Sequence, residues 1–360
     1  MKKTTIILFL TFIFSVPIIN ILTKDKLISE IENKILTQLP KISLEDIKNK
    51  EFMQNFDSYV LDQFPLRNEF IKFKNLYSYI IGQREFKNIY VSKNNRLLEK
   101  YTFNKEIIDF NLNKINKISD FLTKNNIKST LMVVPTSIAF YDDLLPSYAI
   151  TYDQNTALKY IKNNTKTNFY TPYDILDKNK EKYIYFNTDH HWTQLGAYIC
   201  YNDLYKKNEN IYSNYKKVSD DFFGTYYSKA LLPNIKSDSI YSYKNYNNFK
   251  IDMDFSNTYN TLYDENKLKG KNKYQYFLHG DPGFCIIYGN PNMNKEVLVF
   301  KDSFAHNFLP FLTEQYSKIH VIDPRYYKID LKDYISRNKN ISETLFLHNI
   351  KLLSEEKIYN

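Results

Sequence analysis

Glycine, cysteine and tryptophan are scarce in this chain of 360 residues: 7 Gly, 2 Cys and 1 Trp. So few glycines leave no Gly-rich loop to cradle a phosphate or a dinucleotide, which excludes chemistry built on one. Cys200 and Cys285 cannot form a disulfide framework and stand in no C-x-x-C or Cys/His zinc spacing. They read as two buried apolar side chains. With 11 Pro and little Gly, collagen-like and linker-like chains are excluded. Long apolar runs are also lacking, apart from one, which excludes a polytopic membrane protein. Blocks of one charge are missing too. The 49 Lys+Arg against 40 Asp+Glu give +9, but the basic residues stand singly, as at Lys114, Lys117, Lys124 and Lys128. That scatter argues against a nucleic-acid partner, which concentrates charge on one element. What is present is apolar: 43% hydrophobic and 17% aromatic residues are enough to offset the entropy of folding, so the chain is not disordered. The length suits one large domain or two smaller ones.

The single apolar run opens the chain. Met1-Lys2-Lys3 precedes Thr4–Leu22, and Lys24 and Lys26 close it. A basic start and an apolar core mark an export signal, and the run is long enough to span hydrocarbon. No small-x-small cleavage site follows, so residues 1–26 read as an uncleaved signal anchor, a transmembrane helix. Lys2 and Lys3 then lie inside and the remainder outside the cytoplasm. The expected location is the extracytoplasmic face of the cell membrane, or secretion if the signal is cleaved.

Residues 27–85 read as a helical N-terminal region. Leu27, Ile28, Ile31 and Ile35 recur at helical spacing. Pro40 interrupts, and Ser43 with Asp46 offers a new start. Pro65 opens a stretch with Phe70, Phe73, Leu76, Tyr77 and Ile80 on one face, ended by Gly82. From residue 86 to 360 short apolar runs alternate with helical stretches. Thr130–Val134, Val297–Phe300, Ile319–Ile322 and Thr344–Leu347 are apolar throughout, as strands of a parallel sheet covered on both faces are. The expectation is one α/β domain over 86–360, with an irregular, lid-like insertion around 205–275 where periodicity is weak.

The sharpest local string is Thr188-Asp189-His190-His191-Trp192-Thr193. On an extended segment residues two apart share a side, so Asp189 and His191 can converge. The carboxylate then fixes the imidazole tautomer and stabilises an imidazolium. The same alternation turns His190 away, as a structural or supporting residue. Such a pair needs a nucleophile. Ser303 follows the strand Val297–Phe300 through Lys301 and Asp302 and opens a helical run from Phe304 to Leu312, where α/β folds place ligands. A helix start also offers N–H groups to a developing oxyanion. A metal is the rival use of Asp189, His190 and His191. Adjacent histidines diverge and no third-ligand spacing appears, so no metal or other cofactor is expected.

The strings TDHHWT and KDSFA (Lys301–Ala305) resemble the DHHW family of Gram-positive bacteria. That family is in turn similar to the SGNH-like alginate O-acetyltransferases of the cell envelope. Asp62–Arg67 (DQFPLR), Val133–Thr136, Phe223-Gly224-Thr225 and Asp323–Tyr327 support the likeness, which covers most of the chain after the anchor. The resemblance implies an SGNH-hydrolase-like parallel sheet flanked by helices. It also implies a triad in which Asp189 orients, His191 is the general base and Ser303 the nucleophile. The family's Gly-Asp-Ser is here Lys301-Asp302-Ser303. The amides of Ser303, Phe304 and Gly280 are the candidate oxyanion donors, and no SGNH-type block asparagine stands out. His190, Trp192 and Arg325 complete the candidate substrate contacts; the other use of His190 is as the base in place of His191, that of Trp192 is core packing, and that of Arg325 is an ion pair to Asp323. The implied activity is O-acyl transfer, of acetyl, to an envelope polysaccharide through an acyl-serine. A membrane-bound O-acyltransferase is the implied acyl donor. A carbohydrate esterase with the same triad, and a non-catalytic glycan-binding or assembly protein on the same fold, are the alternatives.

Overall fold

The computed structural model describes residues 2–29, 31, 34–207, 215–243, 247–254 and 256–359. They fall into two compact units, 1–86 with 228–234, and 87–227 with 235–360. The parts of the expected insertion at 208–214, 244–246 and 255 lie outside the described residues.

In the smaller unit, α1 (Lys2–Leu22) is long and apolar enough to cross a membrane, with a mean hydropathy of 2.4. Ile28 and Ile35, read as helical from their spacing, instead pair across a short antiparallel ladder of β1 (Ile28–Ser29) and β2 (Lys34–Ile35), where the Leu36 N–H bonds to Leu27 O across the ladder rather than one turn back. Next come α2 (Leu44–Lys48), α3 (Glu51–Asp62), α4 (Arg67–Ile80) and β3 (Glu85–Phe86). Ser43 caps α2 by accepting from the Asp46 N–H, as its place before an apolar stretch predicts. Gly82 sits at φ +107° after α4, a left-handed position that ends a helix without steric cost.

The larger unit begins with β4 (Ile89–Val91) and β5 (Leu97–Glu99). The long helix α5 (Lys105–Lys124) leads to β6 (Lys128–Val134), α6 (Gln154–Asn164), β7 (Asn168–Tyr170), α7 (Tyr173–Asp177) and α8 (Gln194–Tyr205). Then come β8 (Tyr215–Phe222), α9 (Thr225–Ala230), whose residues from Ser228 on belong to the smaller unit, β9 (Asp238–Tyr243), β10 (Asn247–Met253), β11 (Asn257–Thr261), β12 (Phe284–Tyr288) and β13 (Glu296–Lys301). The chain closes with α10 (Leu309–Leu312), β14 (Lys318–Ile322), α11 (Leu331–Arg337), β15 (Ile341–Asn349) and α12 (Ile350–Glu355).

One eight-stranded sheet organises this unit, in the order β11-β10-β12-β14-β13-β15-β6-β7. The strands from β14 to β7 run parallel, as their uninterrupted apolar sequences predict. Every residue of β13 is buried, between β14 on one side and β15 on the other. α5 lays Ile108, Leu112, Ile115 and Leu122 into the core. Its buried Asn111 ties it to the chain end, donating to Leu353 O and Glu356 O and accepting from the Ile358 N–H.

Residues 205–275, read from the sequence as an irregular insertion, hold regular structure instead. β8 and β9 form an antiparallel pair. β10 and β11 extend the main sheet through β12, all antiparallel. The weak periodicity has a physical source, since all but one residue of β11 are exposed and the register of β10 with β11 shifts after Asn247. The chain leaves β13 to one side for β14 and to the other for β15. The order reverses at β13, which opens a crevice beyond its carboxyl end.

Candidate active site

Ser303 stands at that carboxyl end, directly after Lys301 and Asp302. The sequence suggested a helix from Phe304 to Leu312. The structure has a 3-10 turn, Ser303–Asn307, and then α10, with Pro310 in its first turn. Proline lacks the N–H that would continue one helix through this point. A turn this short carries little dipole, so charge stabilisation here falls to individual N–H groups.

The Thr188–Thr193 string is a loop rather than a strand, closed by a bridge between Tyr185 and Trp192. Asp189 and His191 converge through an Asx turn, in which Asp189 Oδ1 accepts the His191 backbone N–H (3.1 Å). The same oxygen meets His191 Nδ1 at 2.5 Å. His191 Nε2 lies 2.8 Å from Ser303 Oγ. With Nδ1 protonated toward the carboxylate, Nε2 is free to accept the hydroxyl proton. Carboxylate, imidazole and hydroxyl thus stand in series, an arrangement that can deprotonate a serine as it attacks. Asp189 and His191 are buried, and Ser303 is partly open.

Burial pushes the Asp189 carboxyl upward. The neighbouring His190 and His191, with the His191 and Thr225 hydrogen bonds, outweigh that and hold it well below the usual carboxylate range. Its second oxygen accepts the Thr225 N–H at 2.8 Å. Gly224 lets this loop press onto Asp189, because a Cβ there would overlap the carboxylate. Gly224→Ala is therefore expected to destabilise the protein by about 1–3 kcal/mol. Urea denaturation would read this as a lower midpoint at unchanged slope.

Two contacts lock the two distant strings together, and a third holds Ser303 to Tyr274. Trp192 Nε1 donates to Phe304 O (2.8 Å), Asn307 Nδ2 donates to Trp192 O (2.8 Å), and Tyr274 OH donates to Ser303 O (2.8 Å). Trp192 is fully buried against Phe304 and Phe308, which removes it as a sugar platform. Tyr274 stacks flat on the His191 ring, centroids 3.6 Å apart and planes 6° apart. His190 does not turn away as strand alternation implied. Its ring lies 3.7 Å from that of His191, and its Nδ1 faces Thr225 Oγ1 at 2.7 Å. The His190 Nδ1 to Asp189 distance is 3.7 Å against 2.5 Å for His191.

The oxyanion candidates separate. The Phe304 N–H is committed to Asp302 Oδ1 at 2.8 Å, so Asp302 caps the turn and removes that donor. Gly280, at φ +109°, directs its N–H to Phe277 O. The Ser303 N–H makes no hydrogen bond among the described residues, which leaves it available. Asp302 Oδ2 also accepts the Asn349 N–H and Nδ2, tying the ends of β13 and β15. Arg325 forms a two-point ion pair with Asp323 (2.9 and 2.8 Å), whose carboxylate lies 3.4 Å from the buried Lys301 Nζ.

Sequence reasoning missed Tyr274 and Asp238. Asp238, buried at the start of β9, accepts from the Asn187 and Thr188 N–H groups, the Thr188 hydroxyl and the Tyr183 OH. It thereby fixes the loop that carries Asp189.

Asp189, His190 and His191 also form a group whose ligand-type atoms lie within 4.8 Å of one another. Both ring nitrogens of His191 are engaged, one by Asp189 and one by Ser303. A metal bound there would have to displace that chain.

Beneath the site, burial and the Arg325 and Lys301 charges push His348 down to about 3, against the pull of Asp323. The unfolded chain takes up this proton near pH 6.5. The stability is thus present above that pH and lost as the pH falls toward 3. By pH 5 the loss is on the order of 2 kcal/mol. The melting temperature should drop between pH 7 and pH 5, and by less in His348→Gln.

Fold and site together define a mixed α/β protein with a Ser–His–Asp chain at the carboxyl end of its central strand. The sequence model of the DHHW protein family matches residues 82–322, and the chain belongs to that family. It is similar to a solved DHHW family protein from Eubacterium siraeum, at 21% identity and a TM-score of 0.66, over 76% of this chain and 94% of that one. PatB1 of Bacillus cereus is similar at 22% identity and a TM-score of 0.62, over 75% and 98% of the two chains. PatB1 has also been solved with a sulfonyl adduct; that structure matches at 22% identity and 0.61, over 77% and 98%. No curated protein gives a significant match.

Proposed function

We propose that the protein is an extracytoplasmic O-acyltransferase that moves an acyl group, acetyl by resemblance, onto a cell-envelope polysaccharide. The observation that carries the reading is the unbroken series Ser303 Oγ, His191, Asp189. In the first half-reaction Ser303 Oγ attacks the donor's acyl carbonyl while His191 Nε2 takes the hydroxyl proton. Collapse of the tetrahedral intermediate expels the donor's leaving group, which receives that proton, and leaves an acyl-serine. In the second half His191 takes the proton of a glycan hydroxyl as it attacks the ester, then returns a proton to Ser303. Asp189, held ionised, stabilises the imidazolium in both halves. The Ser303 N–H is one oxyanion donor.

Membership of the DHHW family and the membrane-length α1 support this reading. Lys2 and Lys3 would remain inside, and a membrane-bound O-acyltransferase would deliver the acyl group across the bilayer. The test is product analysis with an acyl donor, with and without an acceptor glycan. The proposal expects acylated glycan whose yield depends on Ser303. Equal release of free acid with and without acceptor would make the protein an esterase.

A further inference from the structure

α4 carries an apolar stripe that nothing covers among the described residues. Phe70, Phe73, Tyr77 and Ile80 follow one another at helical spacing and are 46%, 71%, 60% and 71% exposed. Leu66 before the helix and Ile81 after it continue the stripe at 73% and 66%. A soluble helix turns such a face to a core. This one has turned it to the outside, and Glu69, which pairs with Lys72, borders the stripe one turn before Phe73. In the larger unit the exposed large apolar side chains among the described residues are Tyr148, Ile150, Tyr152, Tyr259 and Tyr326. None of these forms a stripe along a helix.

A second, independent set of contacts says where this helix begins. Gln63, just before α4, pairs with the backbone of Lys26. Its Oε1 accepts the Lys26 N–H (3.0 Å) and its Nε2 donates to Lys26 O (2.9 Å) and Thr37 O (3.0 Å). Tyr59 OH reaches the Asp25 carboxylate, and the buried Asp62 accepts from Lys34 Nζ and from the Thr37 N–H and hydroxyl. Lys26 lies four residues beyond Leu22, the last residue of α1. Four residues reach at most about 14 Å. The Asp62-Gln63 pair therefore pins the start of α4 within a short reach of the point where α1 would leave the bilayer.

We propose that α4 is an interfacial helix, with Phe70, Phe73, Tyr77 and Ile80 seated in the outer surface of the membrane that α1 crosses. The proposal rests on reading α1 as a membrane span. A helix with an aromatic and aliphatic face and a polar back lies in the interface plane, with its apolar side about 5–10 Å into the headgroup and acyl boundary. Lys74, exposed on one flank of the stripe, suits anionic headgroups. The device holds the export-side protein at the bilayer by a second contact, where a membrane-embedded acyl donor would hand over its group.

The test uses the full chain carrying Phe73→Trp, reconstituted in vesicles of phosphatidylcholine and phosphatidylglycerol with and without brominated acyl chains. The substitution is at an exposed position and leaves the core intact. Trp192, the one native tryptophan, is fully buried and serves as the background. The emission of the new indole is expected to fall by about half in brominated vesicles, as its depth in the acyl boundary requires. Adding Tyr77→Glu and Ile80→Glu should abolish that quenching while the chain still floats with the vesicles. A chain that floats but shows no more quenching than wild type overturns the proposal. So does a shielded, unquenched indole in a chain that cross-links as a dimer, which would assign the stripe to a second copy. A chain that does not float overturns the membrane span itself, and the interfacial helix with it.

Discussion

Ser303→Ala is expected to lower acyl transfer by about 10⁴-fold or more and to abolish any covalent acyl intermediate. The hydroxyl is the only atom of the series that forms a bond to the acyl group, and no neighbouring group replaces it. Lys301 is fully buried, with its amine held by His306 and Asp323. Cys200 and Cys285 are buried, with thiols that burial pushes well up, Cys285 to about 12. The fold should survive the change, because the Ser303 backbone contact to Tyr274 does not involve the side chain. Unchanged melting with lost turnover would separate chemistry from folding. An equal loss of both would mean that the hydroxyl serves structure.

Asp189→Asn is expected to cost about 10⁴-fold in turnover with little loss of binding. Two effects add. The amide no longer stabilises the imidazolium, and it can present N–H where His191 Nδ1 needs an acceptor, which turns the imidazole to the wrong tautomer. The second oxygen of Asp189 also holds the Thr225 N–H, so Asp189→Ala would blur catalysis with loop disorder. The asparagine keeps the shape, and so isolates charge and tautomer. The measurement is kcat and KM for a soluble acyl donor. A variant within ten-fold of wild type would remove the carboxylate from the mechanism.

The sheet was legible where its strands are buried on both faces. β13, β14 and β15 read as apolar runs because neither face alternates. β10 and β11 were not legible. They lie at the antiparallel edge, where β11 is exposed and a register shift breaks the period of two. The site was legible in part for a chemical reason: an Asp, two His and a Trp in one string is rare composition, and a serine after a buried strand is a known place for ligands. The means of convergence was not legible. An Asx turn and a strand both bring residues two apart together, but only the strand turns His190 away, and here its ring lies against His191. Tyr274 and Asp238 carried no local signal. In a chain with 33 Tyr and 40 acidic residues, tertiary placement alone selects which tyrosine stacks on the imidazole and which carboxylate holds the loop. The Phe304 amide failed as a donor for a similar reason, since the Asp302 side chain caps it.

The central claim is that Ser303 takes the acyl group. The most direct measurement is peptide mass spectrometry of the detergent-solubilised full chain after brief exposure to p-nitrophenyl acetate, beside Ser303→Ala and His191→Ala. The account predicts one acetyl group on the peptide containing Ser303, absent from both variants. Acetyl carried by another residue in the wild type, or turnover undiminished in Ser303→Ala, would contradict it.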